Sequence, residues 1–438
     1  MRLLYTCLLY LAAPWVFAHL WLRGRRQPEY RRRIGERLGY VAPPRRPVAV
    51  WVHAVSVGES VAAFPLIEAL IARHGEGAVW VTTTTPTGST RIVARFGSRV
   101  CHSYVPYDWP GAVRRFLRRV QPQCAVIMET ELWPNLFHAL ARQATPLIIG
   151  NARLSPHSFR GYARIRGAMA RVLNDCTLIA AQSPADADRF RQLGASRVRS
   201  IGNLKFDLVV PAAQIAHGHA LRAALGADRP VWVAASTHDD EEAAVLTAHA
   251  RIRQHFGNAA LILVPRHPQR FDAVSRLIHE RHLSCVRRSQ TADGTAIPAP
   301  GDLEQTTVLL GDTMGEMFTY LAAADVAFVG GSLAKIGGHN VLEPAALGLP
   351  VLFGPYMHNF EAARTLLTGC DAGHPISDAE ELAQAICARF ENPTLRQRMG
   401  RAAESAVANN RGALQRLLSI IDAHTGAPPT PATPTSAA

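Results

Sequence analysis

Neither G-x-G-x-x-G nor G-x-x-x-x-G-K-[ST] occurs anywhere in this chain, so a dinucleotide dehydrogenase and a P-loop ATPase lose their usual phosphate cradles. The G-x-S-x-G elbow is missing too, which leaves Ser56 without a nucleophile's setting. H-E-x-x-H is absent. The pair His279 and His282 in "HERH" has no further ligand nearby in sequence, and no metal is expected. The seven cysteines are odd in number and never paired as C-x-x-C, which argues against a disulfide framework or a cysteine zinc site and suits a reducing compartment. Acidic residues are outnumbered, 34 against 47 lysines and arginines, giving a formal net charge of +13 and a pI near 10.0. An anionic partner is expected: nucleic acid, phosphorylated small molecules or an anionic membrane surface. Arginine supplies most of that charge, and its fork suits phosphate and carboxylate better than a lysine point charge does.

The 438 residues are enough for two domains, since one core rarely grows past roughly 250–300 residues. From Leu3 to Leu22 no residue carries a fixed charge. Twenty helical residues at about 1.5 Å each cover about 30 Å, the thickness of a bilayer core. Trp15, Phe17 and Trp21 gather toward the end of this run, and seven arginines follow between Arg23 and Arg37 against Glu29 and Glu36. Positive flanks stay cytoplasmic, so the reading is a membrane anchor with the rest of the chain on the cytoplasmic face. No small-residue cleavage site follows, which disfavours a secretory signal.

Short β-branched runs alternate with helical stretches, the pattern of parallel sheets flanked by helices. They are residues 48–52, 78–84, 124–128, 146–150 and 177–181 in the first half, and 230–236, 260–264, 307–311, 326–331 and 350–354 in the second. "NLKFDLVVPAAQ" (203–214) reads as a linker between two doubly wound α/β domains. The expected organisation is an anchor over 1–24, a first domain over 25–207, a second over 208–405, a C-terminal helix over 406–424 and a disordered tail over 425–438. Residues 289–302 read as a loop.

Ligands of open α/β sheets bind outside the carboxyl ends of the strands. The segments found there are "HAVSVGES", "TTPTGSTR", "METELWPN" and "NARLS", then "STHDDEE", "PRHPQR", "GDTMGEM", "GGSLAKIGGHNVLEP" and "GPYMHNF". Both sets are expected to line one cleft rich in glycine turns and arginine, with a few isolated carboxylates. The amides opening the helix after "GGHN" would form an anion site, and Glu343 would accept hydrogen bonds from a ribose diol. Arg266 and His267 at a strand end suit a phosphate, or are surface charge. The Met314-Gly315-Glu316 turn presents backbone to a base, or Asp312 or Thr313 simply caps a helix. Glu129 and Glu131 are positioning carboxylates, or one of them is an N-cap. Lys205 stands at a hinge, where a lone lysine is more often solvated than functional.

Taken in order, "HAVSVGES", "TTTTPTGS", "METELWPN", "NARLS", "STHDDEE", "VPRHP", "GDTMGEM" and "FVGGSLAKIGGHNVLEP" resemble the 3-deoxy-D-manno-octulosonic acid (Kdo) transferases of lipopolysaccharide assembly. These are inverting glycosyltransferases of the GT-B fold, and the resemblance covers nearly the whole chain. It implies CMP-Kdo as donor, a lipid A precursor of the lipid IVA type as acceptor, no cofactor or metal, and the cytoplasmic side of the inner membrane with its anionic lipid. Carried over by position, Glu59 is the general base, and Glu129 and Lys205 stabilise the transition state. Arg266, His267, Met314, Gly315, Glu316, Asn340, Val341, Leu342 and Glu343 are the CMP-binding set. The runner-up is another GT-B enzyme using a UDP-sugar, a hexosyltransferase or an epimerase. A nucleic-acid binder would leave the strand-end carboxylates unexplained, so no nucleic-acid partner is expected.

Overall fold

In the computed structural model, residues 2–291 and 298–426 are described. Positions 427–438 of the expected 425–438 tail and 292–297 of the expected 289–302 loop lie outside them, while Thr425 belongs to a helix. Two compact units form. Unit 1 is Met1–Asp207 together with the segment from Arg411, and unit 2 is Leu208–Asn410.

Unit 1 holds seven strands: β1 (Val50–His53), β2 (Val79–Thr83), β3 (Cys101–Tyr104), β4 (Cys124–Met128), β5 (Leu147–Ala152), β6 (Leu178–Ala181) and β7 (Val198–Ser200). Their order is β3-β2-β1-β4-β5-β6-β7, with parallel pairing such as Val50↔Val79 and Val50↔Cys124. Unit 2 repeats the plan with β8 (Val231–Thr237), β9 (Ala260–Pro265), β10 (Cys285–Arg287), β11 (Val308–Leu310), β12 (Val326–Val329), β13 (Val351–Phe353) and β14 (Gly373–Pro375), in the order β10-β11-β9-β8-β12-β13-β14. Each sheet has a core on both faces. This is why the central strands are continuous apolar runs rather than alternating ones. Two buried indoles in these layers find partners: Trp51 Nε1 donates to Thr82 Oγ1 at 2.9 Å, and Trp232 Nε1 to His249 Nδ1 at 3.1 Å.

The strand order reverses between β1 and β4 in unit 1 and between β8 and β12 in unit 2. Such reversals open a crevice at the strands' carboxyl ends. "HAVSVGES" and "METELWPN" flank the first, and "STHDDEE" and "GGSLAKIGGHN" the second.

The division between the units at Asp207/Leu208 falls inside the 203–214 segment, with Leu204 and Phe206 buried in unit 1 and a helix starting at Ala212 in unit 2. One expectation needs correction: there is no single helix over 406–424. One helix runs Pro393–Asn409, the chain turns through Gly412 at φ 94°, and a second helix runs Ala413–Thr425. Leu417, Leu418 and Ile421 of that second helix fill the unit 1 core. Asp207 accepts from the amides of Gly412 (2.5 Å) and Leu414 (2.7 Å), and Arg73 pairs with Asp422 at 2.8 Å. Charge-assisted capping of this kind is what an otherwise uncapped helix start requires.

Candidate active site

Residues Ser56 to Glu59 answer why an apolar strand delivers polar groups at its tip. Ser56 caps the helix Val57–His74, its Oγ accepting from Glu59 N at 3.2 Å. The Glu59 side chain reaches back, Oε2 accepting from Val55 N and Oε1 from Ser56 Oγ, each at 2.9 Å. This is a capping-box variant, S-x-x-E, which sequence reading missed although the spacing was visible. It holds the half-buried carboxylate in one orientation, and each oxygen retains a second lone pair for another donor. Burial raises the Glu59 pKa; the Val55 and Ser56 bonds oppose this, and the charge of Glu131 adds to it.

Just past the neighbouring strand β4, Glu129 takes φ 58°, a left-handed conformation uncommon for a side-chain-bearing residue. Its amide donates to Gly150 O at 2.9 Å, and Thr130 Oγ1 donates to Arg153 O. Neither Glu129 nor Glu131 caps the following helix Pro134–Arg142. That task belongs to Asp108, whose oxygens accept from Asn135 N (3.0 Å) and Leu136 N (2.7 Å). Glu131 instead accepts from Trp133 Nε1 at 3.0 Å. His53 lies edge-on to Trp133, ring centroids 6.0 Å apart, and burial lowers its pKa to about 4, so it is a neutral packing residue.

Lys205 is one of only two lysines in the chain. Its 3-10 turn, Leu204–Phe206, is pinned twice: Asn203 Oδ1 accepts from Lys205 N and Asn151 Oδ1 from Leu204 N, both at 3.0 Å. Asn151 sits at φ 53° in the irregular end of β5. It belongs to "NARLS", yet nothing in its sequence context distinguishes it as the residue that places Lys205. Burial lowers the lysine's pKa, Glu129 opposes, Arg153 lowers it further and Glu59 opposes again. Glu129 is raised by burial and by Glu59, against Lys205 and Arg153. Glu59, Glu129 and Lys205 therefore form one electrostatically coupled group.

In unit 2 the loop after β12 is organised by a residue not singled out from sequence. Glu241, fully buried, accepts five backbone N–H groups: His238 (3.0 Å), Gly331 (2.7 Å), Ser332 (3.0 Å), Leu333 (2.9 Å) and Ala334 (3.3 Å). Gly330 is required there, because a Cβ would come within 2.8 Å of the Glu241 carboxylate and 2.7 Å of Ser236 O. His339 stacks on His238 with centroids 5.0 Å apart and Nε2 to Nε2 at 2.8 Å, and His267 meets His238 edge-on at 5.3 Å. Burial holds His339 near 3, with Arg266, His238 and His267 adding to the effect.

Arg266 acts electrostatically on both His339 and Glu343. Burial raises the Glu343 pKa, against a 3.0 Å bond from Asn340 Nδ2 and the charge of Arg266. Thus Arg266, His267, Asn340 and Glu343 are brought together with His238 and His339. The expected anion site at the next helix start is only partly available. Leu342–Ala346 has five residues, Val341 precedes it, and Asn340 Oδ1 already accepts from Leu342 N at 3.1 Å.

The Met314–Glu316 turn follows β11, the strand beside β9, and Arg266 comes directly after β9. Asp312 does not cap the next helix; it binds Arg287 Nε (2.7 Å) and Ser289 N (2.8 Å). Thr313 Oγ1 bonds the Glu316 carboxylate, which also accepts from Arg288 at 3.0 Å. Met314 is exposed, Gly315 stands at φ 87°, and its carbonyl accepts from Gln214 at 2.9 Å. Among the described residues no group of three or more His, Cys, Asp or Glu is placed to hold a metal ion.

Residues 32–208 match the family model described as 3-deoxy-D-manno-octulosonic-acid transferase (kdotransferase). The 3-deoxy-D-manno-octulosonic acid transferase of Haemophilus influenzae is 39% identical over 427 residues, covering 96% of this chain and 98% of its own. That of Bordetella pertussis is 38% identical over 434 residues, covering 96% and 99%. The solved C-terminal CMP-Kdo binding domain of WaaA from Acinetobacter baumannii is 32% identical, covering 45% of this chain and 99% of its own, with a TM-score of 0.41. The UDP-GlcNAc 2-epimerase of Neisseria meningitidis, at 12% identity, covers 85% of this chain and 99% of its own with a TM-score of 0.54, a likeness of fold alone.

Proposed function

The chain belongs to the 3-deoxy-D-manno-octulosonic acid transferases of lipopolysaccharide biosynthesis, and from that premise we propose a division of labour in which unit 2 binds the cytidylate of CMP-Kdo and unit 1 activates a lipid A precursor. One observation carries the proposal: a single carboxylate, Glu59, is held by Val55 N–H and Ser56 O–H at the β1/β4 reversal, where burial strengthens its hold on a proton.

In the proposed step an acceptor hydroxyl oxygen attacks the anomeric carbon of Kdo and its proton passes to Glu59. The bond from that carbon to the phosphate oxygen breaks, and CMP leaves with the electron pair. Attack opposite the leaving group inverts the anomeric centre. A base matched to this task has a raised pKa yet stays ionised at the working pH. Lys205 balances the Kdo carboxylate, and Glu129 holds Lys205 and answers positive charge building at the anomeric carbon. Arg266 and His267 take the phosphate, Asn340, Val341, Leu342 and Glu343 the ribose side, and Met314, Gly315 and Glu316 the base through backbone groups. The scheme uses no metal, and the acceptor meets the enzyme at the cytoplasmic side of the inner membrane.

The test is to incubate the purified chain with CMP-Kdo and a lipid IVA type acceptor in excess chelator and resolve the products by mass. Acceptor carrying added Kdo is expected. A product formed only with a UDP-sugar favours the rival reading, and a requirement for added metal removes the metal-free step.

Gly58 supplies a separate check on acceptor binding. A Cβ there would meet nothing nearer than Ser56 Oγ at 3.8 Å, so packing within unit 1 does not demand glycine. Gly58→Ala is expected to fold with unchanged stability and to raise the acceptor KM while leaving CMP binding alone. An unchanged KM would remove the acceptor from this strand tip.

A further inference from the structure

The N-terminal helix Arg2–Arg26 is long and apolar enough to cross a bilayer, with mean hydropathy 1.6 over an 18-residue stretch of it. Its surroundings in unit 1 speak for another placement. Tyr5, Leu9, Ala12, Val16, Leu20 and Gly24, spaced by three or four residues, are half-buried or buried. That spacing is one helix face, and it runs the whole length of the helix.

Several contacts hold this face. Thr6 Oγ1 donates to Asn135 Oδ1 at 3.1 Å, and Trp109 Nε1 to Leu9 O at 3.3 Å. Tyr10 and Phe17 pack on the Trp109 ring with centroids 6.1 and 5.8 Å away. Arg31 bonds Trp21 O at 2.8 Å. Tyr5 reaches Asp108, the carboxylate that caps the helix Pro134–Arg142.

The opposite face is apolar and open. Leu4 is 61% exposed, Leu8 56%, Leu11 78%, Trp15 70% and Leu22 55%, again at helical spacing along the full length. If the helix crossed the bilayer with these contacts kept, its covered face would carry Asp108, Asn135 and the unit 1 surface around them into a hydrocarbon layer about 30 Å thick, where ionisable side chains are expensive to place. A helix covered by a folded α/β unit on one side and bare on the other fits the plane of a membrane surface.

We infer that this helix is an in-plane, one-leaflet anchor, its Leu4–Leu8–Leu11–Trp15–Leu22 stripe set into the acyl boundary of an anionic leaflet. Arg23, Arg25 and Arg32, all exposed, meet the headgroups from its end. Both ends of the helix then lie on the same side as units 1 and 2. The inference rests on the membrane-side reading proposed above and specifies its geometry.

The test uses full-length chain with a short N-terminal epitope in sealed inside-out membrane vesicles. A protease added outside is expected to remove the epitope without detergent, whereas an epitope protected until detergent is added means a spanning helix and overturns the inference. Kdo transfer in the same vesicles reads the function separately: active enzyme with a protected epitope sinks only the in-plane placement, and a cleaved epitope without transfer sinks only the functional reading. As a second arm, Leu8→Asp with Leu11→Asp is expected to weaken partitioning to phosphatidylglycerol-containing vesicles by about tenfold or more, with transfer to detergent-dispersed acceptor unchanged. Undiminished partitioning would overturn the placement as well.

Discussion

Glu59→Gln is expected to lower Kdo transfer by about 10²–10⁴-fold, the range typical of losing a general base, with CMP titrating as in the unaltered chain. Glutamine preserves the shape. Its amide oxygen can accept from Val55 N, and the Ser56 hydroxyl, which donates to Glu59 Oε1 at 2.9 Å, can rotate to accept from the new amide nitrogen. The fold is therefore kept while the proton acceptor is lost, which separates the catalytic role of this carboxylate from its capping role. Substantial residual transfer would assign Glu59 to capping alone.

The pH profile gives an independent reading. Burial raises the Glu59 pKa, so the acid limb of kcat/KM should lie above the ordinary carboxylate range, and the limb should vanish in the glutamine variant. The sign for stability runs the other way. A carboxyl whose folded pKa is raised binds more protons folded than unfolded, so stability falls as pH rises from the unfolded value through the folded one. Glu59, Glu129 and Glu131 are all raised by burial, so at neutral pH this corner of unit 1 is destabilised in order to be reactive. Glu129→Gln should accordingly raise the unfolding midpoint while it slows transfer.

The second large effect is expected at Glu241→Gln, which replaces a fully buried acceptor of five backbone N–H groups with a group that itself donates. Hydrogen bonds to a charged group are worth about 1.5–3 kcal/mol each without being additive, and a stranded buried donor costs about 1–3 kcal/mol. A loss of about 3–5 kcal/mol from unit 2 is expected, read by urea unfolding. The loop through Gly331–Ala334 should loosen with it, and CMP affinity should fall by about tenfold or more, because one pair of lost contacts of this size corresponds to a decade or more. Unchanged unfolding with unchanged CMP affinity would mean that the loop does not depend on this carboxylate.

The central architecture was legible because central parallel strands are buried on both faces and so must be apolar throughout. All ten strands read from the sequence are present, and the four it did not show are β3, β7, β10 and β14, the outermost of each sheet. "CHSY", "VRS", "CVR" and "GHP" are short and partly solvated, so no apolar run betrays them. The strand-end motifs were equally legible as candidates, since a glycine pair or a carboxylate after an apolar run is out of place unless something binds there. What stayed hidden was tertiary. Asp108 caps a helix 26 residues further on, beginning at Pro134, Glu241 organises a loop 90 to 93 residues away, and Asn151 fixes the turn of Lys205. Acceptors that serve backbone amides far along the chain leave no local pattern.

The return of Ala413–Thr425 to unit 1 bears on how the chain is made. A ribosome delivers nearly all of unit 1 first and the whole of unit 2 next, and only then Leu417, Leu418 and Ile421, the side chains that close the first unit's apolar layer. During synthesis unit 2 can reach its native state before unit 1 does, while the earlier-born half waits with an open greasy slot. The last thirteen-residue helix is thus the closing step of maturation for the half of the enzyme that appears first.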